Sequence, residues 1–477
     1  MKKKYHPTIG LEIHAELKTL TKMFCGCKND PDEEKPNVNI CPVCMAHPGA
    51  LPVLNKKAIE NVIKVGLAVN GEIADFAEFD RKNYFYPDIP KGYQISQYKY
   101  PIVSGGHLAG FDITRVHLEE DTANNKHDRG DFSLIDFNRS GVPLMELVTE
   151  PRTFENAKEA VFGATKFAEE LQLMLWYLGV SEANMEKGEM RVEANISISS
   201  DLKKLGVKVE VKNLNSFRSV ERAIKYELDR MTQLQEESKG NEIAQETRGW
   251  DEAKQKTFSQ RKKESSEDYR YFPEPDLPKL KLHEAFNLEK MKKELPELPT
   301  QKRVRYKKDF GIKNEDIESF MNDPELAKWF EETTSLLNKD KEKIKLASSL
   351  ITNDYIGIKK IKPNIKFPKT KNFSELVYMF SNAEISSRAT KDIFSMILEN
   401  DESPMKIAKE KNLLQRNDEG ALKTIAQKIV DVNPKVVADY KRGKEQALMS
   451  LVGQIMKETK GSANPTVTKQ ILTDLLK

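Results

Sequence analysis

The cysteines of this 477-residue sequence can bind a metal ion, because they form two closely spaced pairs, Cys25 with Cys27 and Cys41 with Cys44. The chain contains no other cysteine. Two thiolates from each of two tight turns complete a tetrahedral shell, which is the geometry of structural zinc sites. Redox activity of the Cys-x-x-Cys pair, or a set of unpaired thiols, is the alternative, but it leaves the first pair unexplained. The spacing therefore favours structural zinc, and four cysteine ligands leave no open position for catalysis.

A second set of side chains can bind a harder cation, because acidic residues and one histidine alternate with apolar residues in several short segments. Such alternation predicts strands with one packed and one open face, on which residues two apart lie side by side. Carboxylates on one face repel each other unless cations neutralise them, and oxygen ligands with one imidazole suit Mg²⁺ or Mn²⁺. Simple solvation of the open face is the alternative. The candidate ligands are Glu12, His14, Glu193 and Glu210, with Glu119 or Glu120 and Glu150 nearby in the chain.

Two segments, 79–97 and 268–278, interleave tyrosines and phenylalanines with basic residues and prolines. Aromatic rings beside cationic side chains are typical of surfaces that stack nucleobases and contact phosphates. Loops that pack aromatic residues against a core have the same composition. The pattern by itself leaves both interpretations open.

Several familiar catalytic motifs are absent from the sequence. It contains neither of the common glycine-rich phosphate-binding motifs, G-x-x-x-x-G-K-[ST] and G-x-G-x-x-G. It also lacks the G-x-S-x-G nucleophile motif, and its cysteines are already assigned to a metal site. Any nucleotide must therefore bind through another architecture, and any amide hydrolysis must be supplied by a partner.

The elements that position these side chains are predicted from hydrophobic periodicity. Apolar residues spaced by three or four predict helices at 155–178 and 217–238. Glu119 and Glu120 must point to opposite faces of their strand unless it ends or bulges there. We expect the predicted strands to be neighbours in one sheet: 8–18, 113–121, 143–150, 190–198 and 207–212.

Proline-rich stretches at 272–278 and 294–299 separate this α+β part from a region of mostly helical periodicity. The last 77 residues contain 14 Lys or Arg against 10 Asp or Glu. We predict three domains: 1–293, with the zinc-binding segment 25–44 inserted, then a helical domain at 294–400 and a helical tail at 401–477.

The overall composition is that of a charged, nearly neutral protein. Charged residues make up 32% of the sequence, and 77 basic against 74 acidic residues give a net charge of +3. This balance excludes a polybasic nucleic-acid coat but permits local basic surfaces. No uncharged apolar run approaches the ~18 residues of a membrane span, and no apolar segment follows the basic N-terminal residues. We therefore expect a cytoplasmic protein without membrane contact.

Taken together and in order, the motifs resemble the B subunit of the glutamyl-tRNA(Gln)/aspartyl-tRNA(Asn) amidotransferase, the GatB family. The resemblance extends over nearly the whole chain. It rests on IGLEIHAELKT (9–19), the cysteine pairs ending in CPVC, PGALPVLNKKA (48–58), FDRKNYFYPDIPKGYQISQ (79–97), HLEED (117–121), NRSGVPLMELVTEP (138–151), KNLNSFR (212–218), QETRGWDE (245–252), DYRYFPEPDLP (268–278) and LVGQIMKETKGSANP (451–465).

The resemblance implies a ligase subunit in a heterotrimer with an amidase-type A subunit and a small C subunit. The B subunit would bind mischarged Glu-tRNA(Gln), Asp-tRNA(Asn) or both, and would phosphorylate the side-chain carboxylate with ATP. Ammonia released from glutamine by the A subunit would then displace phosphate. The implied fold is a glutamine-synthetase-like cradle domain with an antiparallel sheet, followed by an all-α domain and a YqeY-like tail that contacts tRNA.

The resemblance also implies roles for individual residues. Glu12 and His14 match the metal-binding pair of the family's G-L-E-x-H motif, and Glu120 matches the second Glu of H-x-E-E-D, so these three would bind Mg²⁺. Glu119 would act with them in catalysis, and further acidic positions of the ATP site would be Glu150, Glu193 and Glu210. Glu193 stands where the family usually has Asp.

Two alternatives to this function remain. A tRNA-binding scaffold without its own chemistry would use the zinc site and aromatic loops for recognition, with a merely solvated acidic face. A free-standing glutamine-synthetase-like ligase would act on a small amino acid without partner or tRNA. Unchanged ATP hydrolysis after substitution of Glu12 or Glu120 would favour the scaffold.

Overall fold

The computed structural model describes residues 4–126, 130–262, 269–415, 419–459 and 463–476. Asp268 of the second aromatic segment lies outside these ranges, as do residues 460–462 of the motif LVGQIMKETKGSANP (451–465). The chain divides into two compact units, Met1–Pro299 and Thr300–Lys477. Each unit has its own hydrophobic core.

The first unit is built from strands and a few helices. Its helices are α1 (Lys56–Ala68), α2 (Ala157–Leu178), α3 (Phe217–Glu236), α4 (Leu282–Ala285) and α5 (Leu288–Lys293), with a short 3₁₀ turn at Gly240–Glu242. Its strands are β1 (His6–Glu16), β2 (Glu72–Ile73), β3 (Phe76–Ala77), β4 (Asp80–Asn83), β5 (Tyr93–Ser96), β6 (Val103–Ser104), β7 (His107–Leu108), β8 (Phe111–Glu120), β9 (Asn124–Lys126), β10 (Leu134–Asp136), β11 (Pro143–Thr149), β12 (Arg152–Thr153), β13 (Met190–Ser199), β14 (Val209–Leu214), β15 (Glu246–Asp251), β16 (Lys256–Lys262), β17 (Phe272–Pro273) and β18 (Leu280–Lys281).

Among the described residues, eleven strands form one large sheet in the order β16-β15-β14-β13-β1-β11-β8-β6-β2, with β12 beside β1 and β7 beside β8. Smaller sheets are formed by β17-β4-β5, β10-β9 and β18-β3. The strands predicted by alternation all belong to the large sheet, with boundaries that differ by a few residues. β1 lies at its centre, between β11 and β13.

The large sheet departs from the expected antiparallel arrangement at one place. β14 and β15 are parallel, whereas the other paired strands of this sheet are antiparallel. The connection explains the difference. Helix α3 carries the chain back to the end of the sheet at which β14 begins, so β15 starts there and runs in the same direction, as a parallel pair requires. The sheet is therefore mixed.

Helices α1, α2 and α3 cover one face of the large sheet. Alternate residues of β1, such as Leu11 and Ile13, are at most 1% exposed and pack in the same core as Phe167 of α2 and Ile224 of α3. Capping residues determine the ends of α2. At its start, the Asn156 side chain accepts a hydrogen bond from the Glu159 amide. Gly179 ends α2 in the left-handed conformation, at φ 66°. The opposite face of the sheet is left to polar side chains.

The second unit is helical in its described residues. Two separate hydrophobic clusters lie within it, one built around Phe330 and Phe394 and one around Leu451 and Leu472. None of the described helices is both long and apolar enough to cross a membrane. The helices are α6 (Pro299–Arg305), α7 (Asn314–Met321), α8 (Pro324–Leu336), α9 (Lys341–Ser349), α10 (Ile356–Ile361), α11 (Thr370–Ser381), α12 (Ser387–Asn400), α13 (Pro404–Glu410), α14 (Glu419–Val432), α15 (Pro434–Lys441), α16 (Glu445–Glu458) and α17 (Pro465–Leu476), with π-helical turns at Tyr306–Phe310 and Leu350–Tyr355.

Candidate active site and metal-binding groups

The polar face of the large sheet carries a continuous row of ionisable side chains across four strands. His14 on β1 lies opposite Arg191 on β13 and Glu146 on β11. Glu146 in turn lies opposite His117 on β8. The Glu146 carboxylate is 3.4 Å from His14 Nε2 and 3.3 Å from His117 Nε2, so one carboxylate lies between two imidazoles.

Ligand atoms come together in overlapping groups on this face. Atoms of Glu12, His14 and Glu146 lie within 4.8 Å of one another, and the same holds for Glu12, Glu193 and Glu210. Glu12 is opposite Glu193 in the strand register, which explains why both groups include it. Four of the residues predicted from the sequence are therefore neighbours, and Glu12 connects the two groups.

Glu146 is a central member of these groups that the sequence patterns do not identify. Its strand β11 is buried on both faces, so Glu146 stands alone in the apolar run PLMELVT and no period of two reveals its side. The sequence does offer one signal for Glu146, which is a single carboxylate inside an otherwise apolar strand. Such a residue indicates a functional or paired charge, because buried charges are rarely kept without a partner.

Glu150 does not join the groups. It follows the end of β11, four residues beyond Glu146, which corresponds to roughly 13 Å along an extended strand. Its exposed carboxylate accepts a hydrogen bond from Thr114 Oγ1 at 2.7 Å. A role for Glu150 in ATP binding stays a prediction.

Glu119 and Glu120 point in different directions, as adjacent residues of one strand must. A Glu119 oxygen lies 3.6 Å from His14 Nε2, and Glu119 forms a third ligand-capable group with His117 and Glu146. Glu120 instead accepts hydrogen bonds from Lys91 Nζ at 2.7 Å and from the Ile95 amide at 2.9 Å. The structure thus brings Glu119, and not Glu120, beside His14, and Mg²⁺ binding by Glu120 stays a prediction.

The crowding of carboxylates changes the protonation of the face. Burial, with the charges of Glu146 and Glu193, raises the pKa of Glu12 to about 7. Burial by itself lowers the pKa of His14, but the hydrogen bond and charge of Glu146 outweigh it and raise this pKa to about 9. Burial likewise raises the pKa of Glu146, but His117 and His14 outweigh it and hold this pKa well below its usual range.

Lysine and arginine side chains border the carboxylate groups. Lys212 Nζ lies 2.7 Å from Glu193, and an Arg115 nitrogen lies 4.0 Å from Glu146. Burial disfavours the ammonium of Lys82, but Glu119 and Glu146 outweigh it and raise the pKa of this lysine. The face therefore combines carboxylates that can hold a cation with fixed positive charges that can attract an anion.

The donor set of this face fits a magnesium ion. Mg²⁺ prefers carboxylate oxygens and keeps part of its hydration shell, so two or three protein ligands suffice. Glu12, Glu146 and Glu193 offer such oxygens from neighbouring strands, and His14 offers an imidazole nitrogen once it loses its proton. The residues present would therefore hold one or more divalent ions.

The four cysteines also converge. The sulfur atoms of Cys25, Cys27, Cys41 and Cys44 lie within 4.8 Å of one another. The Cys41 amide donates to Cys44 Sγ at 3.1 Å, and a hydrogen bond from Cys25 lowers the pKa of the Cys44 thiol to about 5. Four converging sulfur atoms fit zinc, which binds cysteines as thiolates, in agreement with the spacing.

The buried Lys22 joins the cysteine segment to the rest of the unit. Its Nζ donates to the backbone oxygens of Asn39 at 2.7 Å and Phe137 at 3.0 Å, and it lies 4.0 Å from Cys44 Sγ. Lys22 is fully buried. A zinc tetrathiolate carries negative charge, so the ammonium of Lys22 would offset part of it.

Comparison with known families follows the two units of the fold. Residues 7–287 match the family model described as the GatB/GatE catalytic domain, and residues 328–476 match the one described as the GatB domain. The chain belongs to the GatB family. The resemblance of the sequence motifs is thereby confirmed.

Relatives of this GatB chain are similar to it over their full length. The B subunit of the aspartyl/glutamyl-tRNA(Asn/Gln) amidotransferase of Thermotoga maritima is 43% identical, with 99% of each chain covered. The proteins of the same name from Persephonella marina and Crocosphaera subtropica are 42% and 41% identical. The alignments cover 99% of this chain and 100% of the former, and 100% of this chain and 98% of the latter. This GatB chain is thus similar to B subunits of a tRNA amidotransferase, which is a ligase complex.

Proposed function

We propose that this chain activates the side-chain carboxylate of a mischarged tRNA with ATP and then amidates it. The substrate would be Glu-tRNA(Gln), Asp-tRNA(Asn) or both. In the first step a carboxylate oxygen bonds to the γ-phosphorus while the bond from that phosphorus to ADP breaks. In the second step ammonia attacks the acyl carbon, phosphate leaves with its bonding electrons, and the nitrogen loses a proton.

The observation that supports this proposal is the group of Glu12, His14 and Glu146 on the polar face of the large sheet. Phosphoryl transfer from one anion to another depends mainly on positioning and on charge compensation. Mg²⁺ bound by Glu12 and Glu146, and by His14 once it loses its proton, would supply that compensation at the phosphate oxygens. A merely solvated face would not need a carboxylate held between two imidazoles.

The chain's own residues prepare this face for an anionic substrate. His14 and His117 hold the Glu146 carboxylate ionised, so it is available as a ligand. The ammonium of Lys82 remains charged beside Glu119 and can attract a carboxylate or a phosphate. The small sheet β17-β4-β5 is attached to the same face by the bond from Ser96 Oγ to Glu119, and it would limit access of water to an acyl phosphate.

The proposal requires partners, because the sequence contains no recognisable nucleophile motif for glutamine hydrolysis. The sequence lacks a nucleophile elbow, and the described cysteines form the metal-binding group. We therefore propose an amidase-type A subunit as the source of ammonia and a small C subunit as the third member. Zinc at the four cysteines would be structural in this assembly.

The test is reconstitution with A and C subunits and measurement of ATP- and glutamine-dependent conversion of each mischarged tRNA. Glu12→Gln and Glu146→Gln should lower the rate of conversion at least about 100-fold, because each removes a negative ligand from the phosphate-binding face. Glu169→Gln is the matched control and should retain full activity, because the half-exposed Glu169 lies on α2 and pairs with Lys166 at 3.7 Å.

Failure of the wild-type complex with both tRNAs would contradict the proposal. Unchanged ATP hydrolysis and amidation in both variants would instead support a tRNA-binding scaffold whose chemistry resides in another subunit. Activity of the isolated chain on a free amino acid, without tRNA, would favour the small-molecule ligase.

A further inference from the structure

The small sheet β17-β4-β5 presents a row of tyrosines toward the carboxylate face. Arg81 pairs with Ile95 and with Phe272, so the two aromatic segments meet in one sheet. Residues two apart share a face of this sheet. Besides Lys82 and Ser96, that face carries four tyrosines, here named the tyrosine wall: Tyr84, Tyr98, Tyr269 and Tyr271.

The tyrosine wall borders the proposed site of phosphoryl transfer. Ser96 Oγ, on the same face of the small sheet, donates to Glu119 Oε2 at 3.1 Å. Burial raises the pKa of Tyr271 to about 12, and the charges of Glu146 and Glu119 add to this effect. Tyr271 and Ser96 therefore place this face of the small sheet near Glu119 and Glu146.

Two rings of the wall already adopt the arrangement of stacked bases. The centroids of Tyr98 and Tyr271 are 4.3 Å apart, and their planes differ by 10°. Tyr98 nevertheless remains 44% exposed, so part of its side chain stays accessible to a ligand. Aromatic rings that serve only to fill a core are covered on both faces, as the fully buried Phe167 is.

The backbone at the exposed Tyr98 is held in place before any ligand arrives. The buried carboxylate of Asp80 accepts hydrogen bonds from the amides of Tyr98 at 2.9 Å and Lys99 at 3.3 Å. Arg81 forms two 2.7 Å bonds to Glu274, which fixes the second aromatic segment against β4. A preorganised exposed ring loses little conformational entropy on binding, which is a property of ligand sites.

We propose that the open face of Tyr98 is a stacking site for adenosine. This inference rests on the proposed function, whose two substrates both carry adenosine: ATP as its nucleoside and aminoacyl-tRNA as its 3′-terminal nucleotide. A purine offers a large flat surface to an aromatic ring, and such stacking tolerates either source. Either adenosine, stacked on Tyr98, would direct its reactive end toward the neighbouring carboxylates.

The test uses two fluorescent probes with the reconstituted complex, because 2-aminopurine loses fluorescence when it stacks on an aromatic ring. One probe is 2-aminopurine riboside triphosphate, and the other is an acceptor-stem RNA hairpin with 2-aminopurine at its 3′ end. We expect quenching of at least one probe, and the probe that is quenched identifies the source of the adenosine. Tyr98→Ala should weaken binding of that probe about 5- to 100-fold and abolish quenching.

Matched variants separate stacking from folding. Tyr98→Phe keeps an aromatic face and should retain quenching, whereas Tyr98→Leu keeps an apolar side chain and should lose it. Tyr100→Ala is the control, because Tyr100 packs on Phe76 outside the wall. Absence of quenching for both probes, or full quenching in Tyr98→Leu, would overturn the inference.

The assay involves no chemistry, so it is independent of the proposed reaction. At a probe concentration that saturates the complex, Glu146→Gln should still quench the probe while it fails to amidate tRNA. Quenching in a wild-type complex that lacks amidation would contradict the proposed function and support the stacking site. Amidation without quenching would support the proposed function and contradict the stacking site.

Discussion

At the scale of single residues, the polar face is defined by charges that depend on one another. Glu146 is ionised because two histidines are close, and His14 is protonated because Glu146 is close. Glu12 has a pKa of about 7, so it holds a proton near neutral pH, because it is buried and its neighbours Glu146 and Glu193 are acidic. A change at any one of these side chains therefore alters the protonation of the others.

The titration of His14 predicts how stability depends on pH. Its pKa in the folded chain is about 9, above the ordinary 6.5, so its contribution is fully present below pH 6.5 and is lost as pH rises through 9. The free energy of unfolding of metal-free protein should exceed that of His14→Gln most at pH 6, and the difference should shrink by pH 10. Urea unfolding of both chains measures this, and a difference that grows with pH would contradict it.

The titration of Glu12 predicts how metal binding depends on pH. A proton on Glu12 competes with a divalent ion, and the pKa of about 7 places this competition near neutrality. The affinity for Mn²⁺ should therefore increase from pH 6 to pH 8, with release of protons, as calorimetry in two buffers can measure. Glu12→Gln should bind more weakly and with a flatter pH dependence. Equal pH dependence in both chains would argue against Glu12 as a ligand.

Sequence patterns predict part of this site, and the reasons for the misses are physical. Alternation places Glu12, His14 and Glu193 on one face because each lies on a strand with one polar side. Alternation does not identify Glu146, because its strand is buried on both faces. The choice between Glu119 and Glu120 depends on how β8 is paired, which alternation within one segment cannot specify.

At the scale of elements, the large sheet holds the site because helices cover its other face. Period-two and period-3.6 patterns predict its long strands and α2 and α3, since each has one apolar side. The short strands of the β17-β4-β5 sheet have no such period. Their pairing depends on contacts between segments nearly 200 residues apart, so the sequence alone predicts the aromatic segments but not that they meet.

Packing of α2 on the sheet predicts a contrast between two phenylalanines of the same helix. Phe167 is fully buried and its ring lies 5.3 Å from that of Phe111, whereas Phe162 is 70% exposed. Phe167→Ala should lower the free energy of unfolding by about 3–5 kcal/mol, because it leaves a cavity. Phe162→Ala should change it by less than about 0.5 kcal/mol. Chemical denaturation measures both, and similar losses would contradict the packing.

At the scale of the whole molecule, the chain consists of two compact units with separate cores. The division near residue 299 lies close to the boundary predicted from the proline-rich segment 294–299. The further division at residue 400 remains a prediction, although two hydrophobic clusters occur in the second unit. Separate cores allow one unit to lose stability without the other.

Removal of zinc should therefore act on one unit only. Chelation, or Cys44→Ser, should lower the melting temperature of the unit that contains the cysteines, because Lys22 then loses its compensating charge. The transition of the helical unit should keep its midpoint. Calorimetry of the full chain, with metal content measured in parallel, tests this. Absence of zinc in freshly purified protein would contradict the metal assignment.

The central position of β1 has a consequence for the synthesis of the protein on the ribosome. Glu12 pairs with Val148 on one side and Glu193 on the other, so about 180 residues separate β1 from its farther partner. At roughly 5–20 residues per second, that partner is translated about 10–40 s after β1. During this interval β1, which has one apolar face, keeps at least one open edge, exposed to aggregation and to chaperones. The strand that carries Glu12 and His14 is thus made before both of its partners and is completed on both sides only when β13 has been translated.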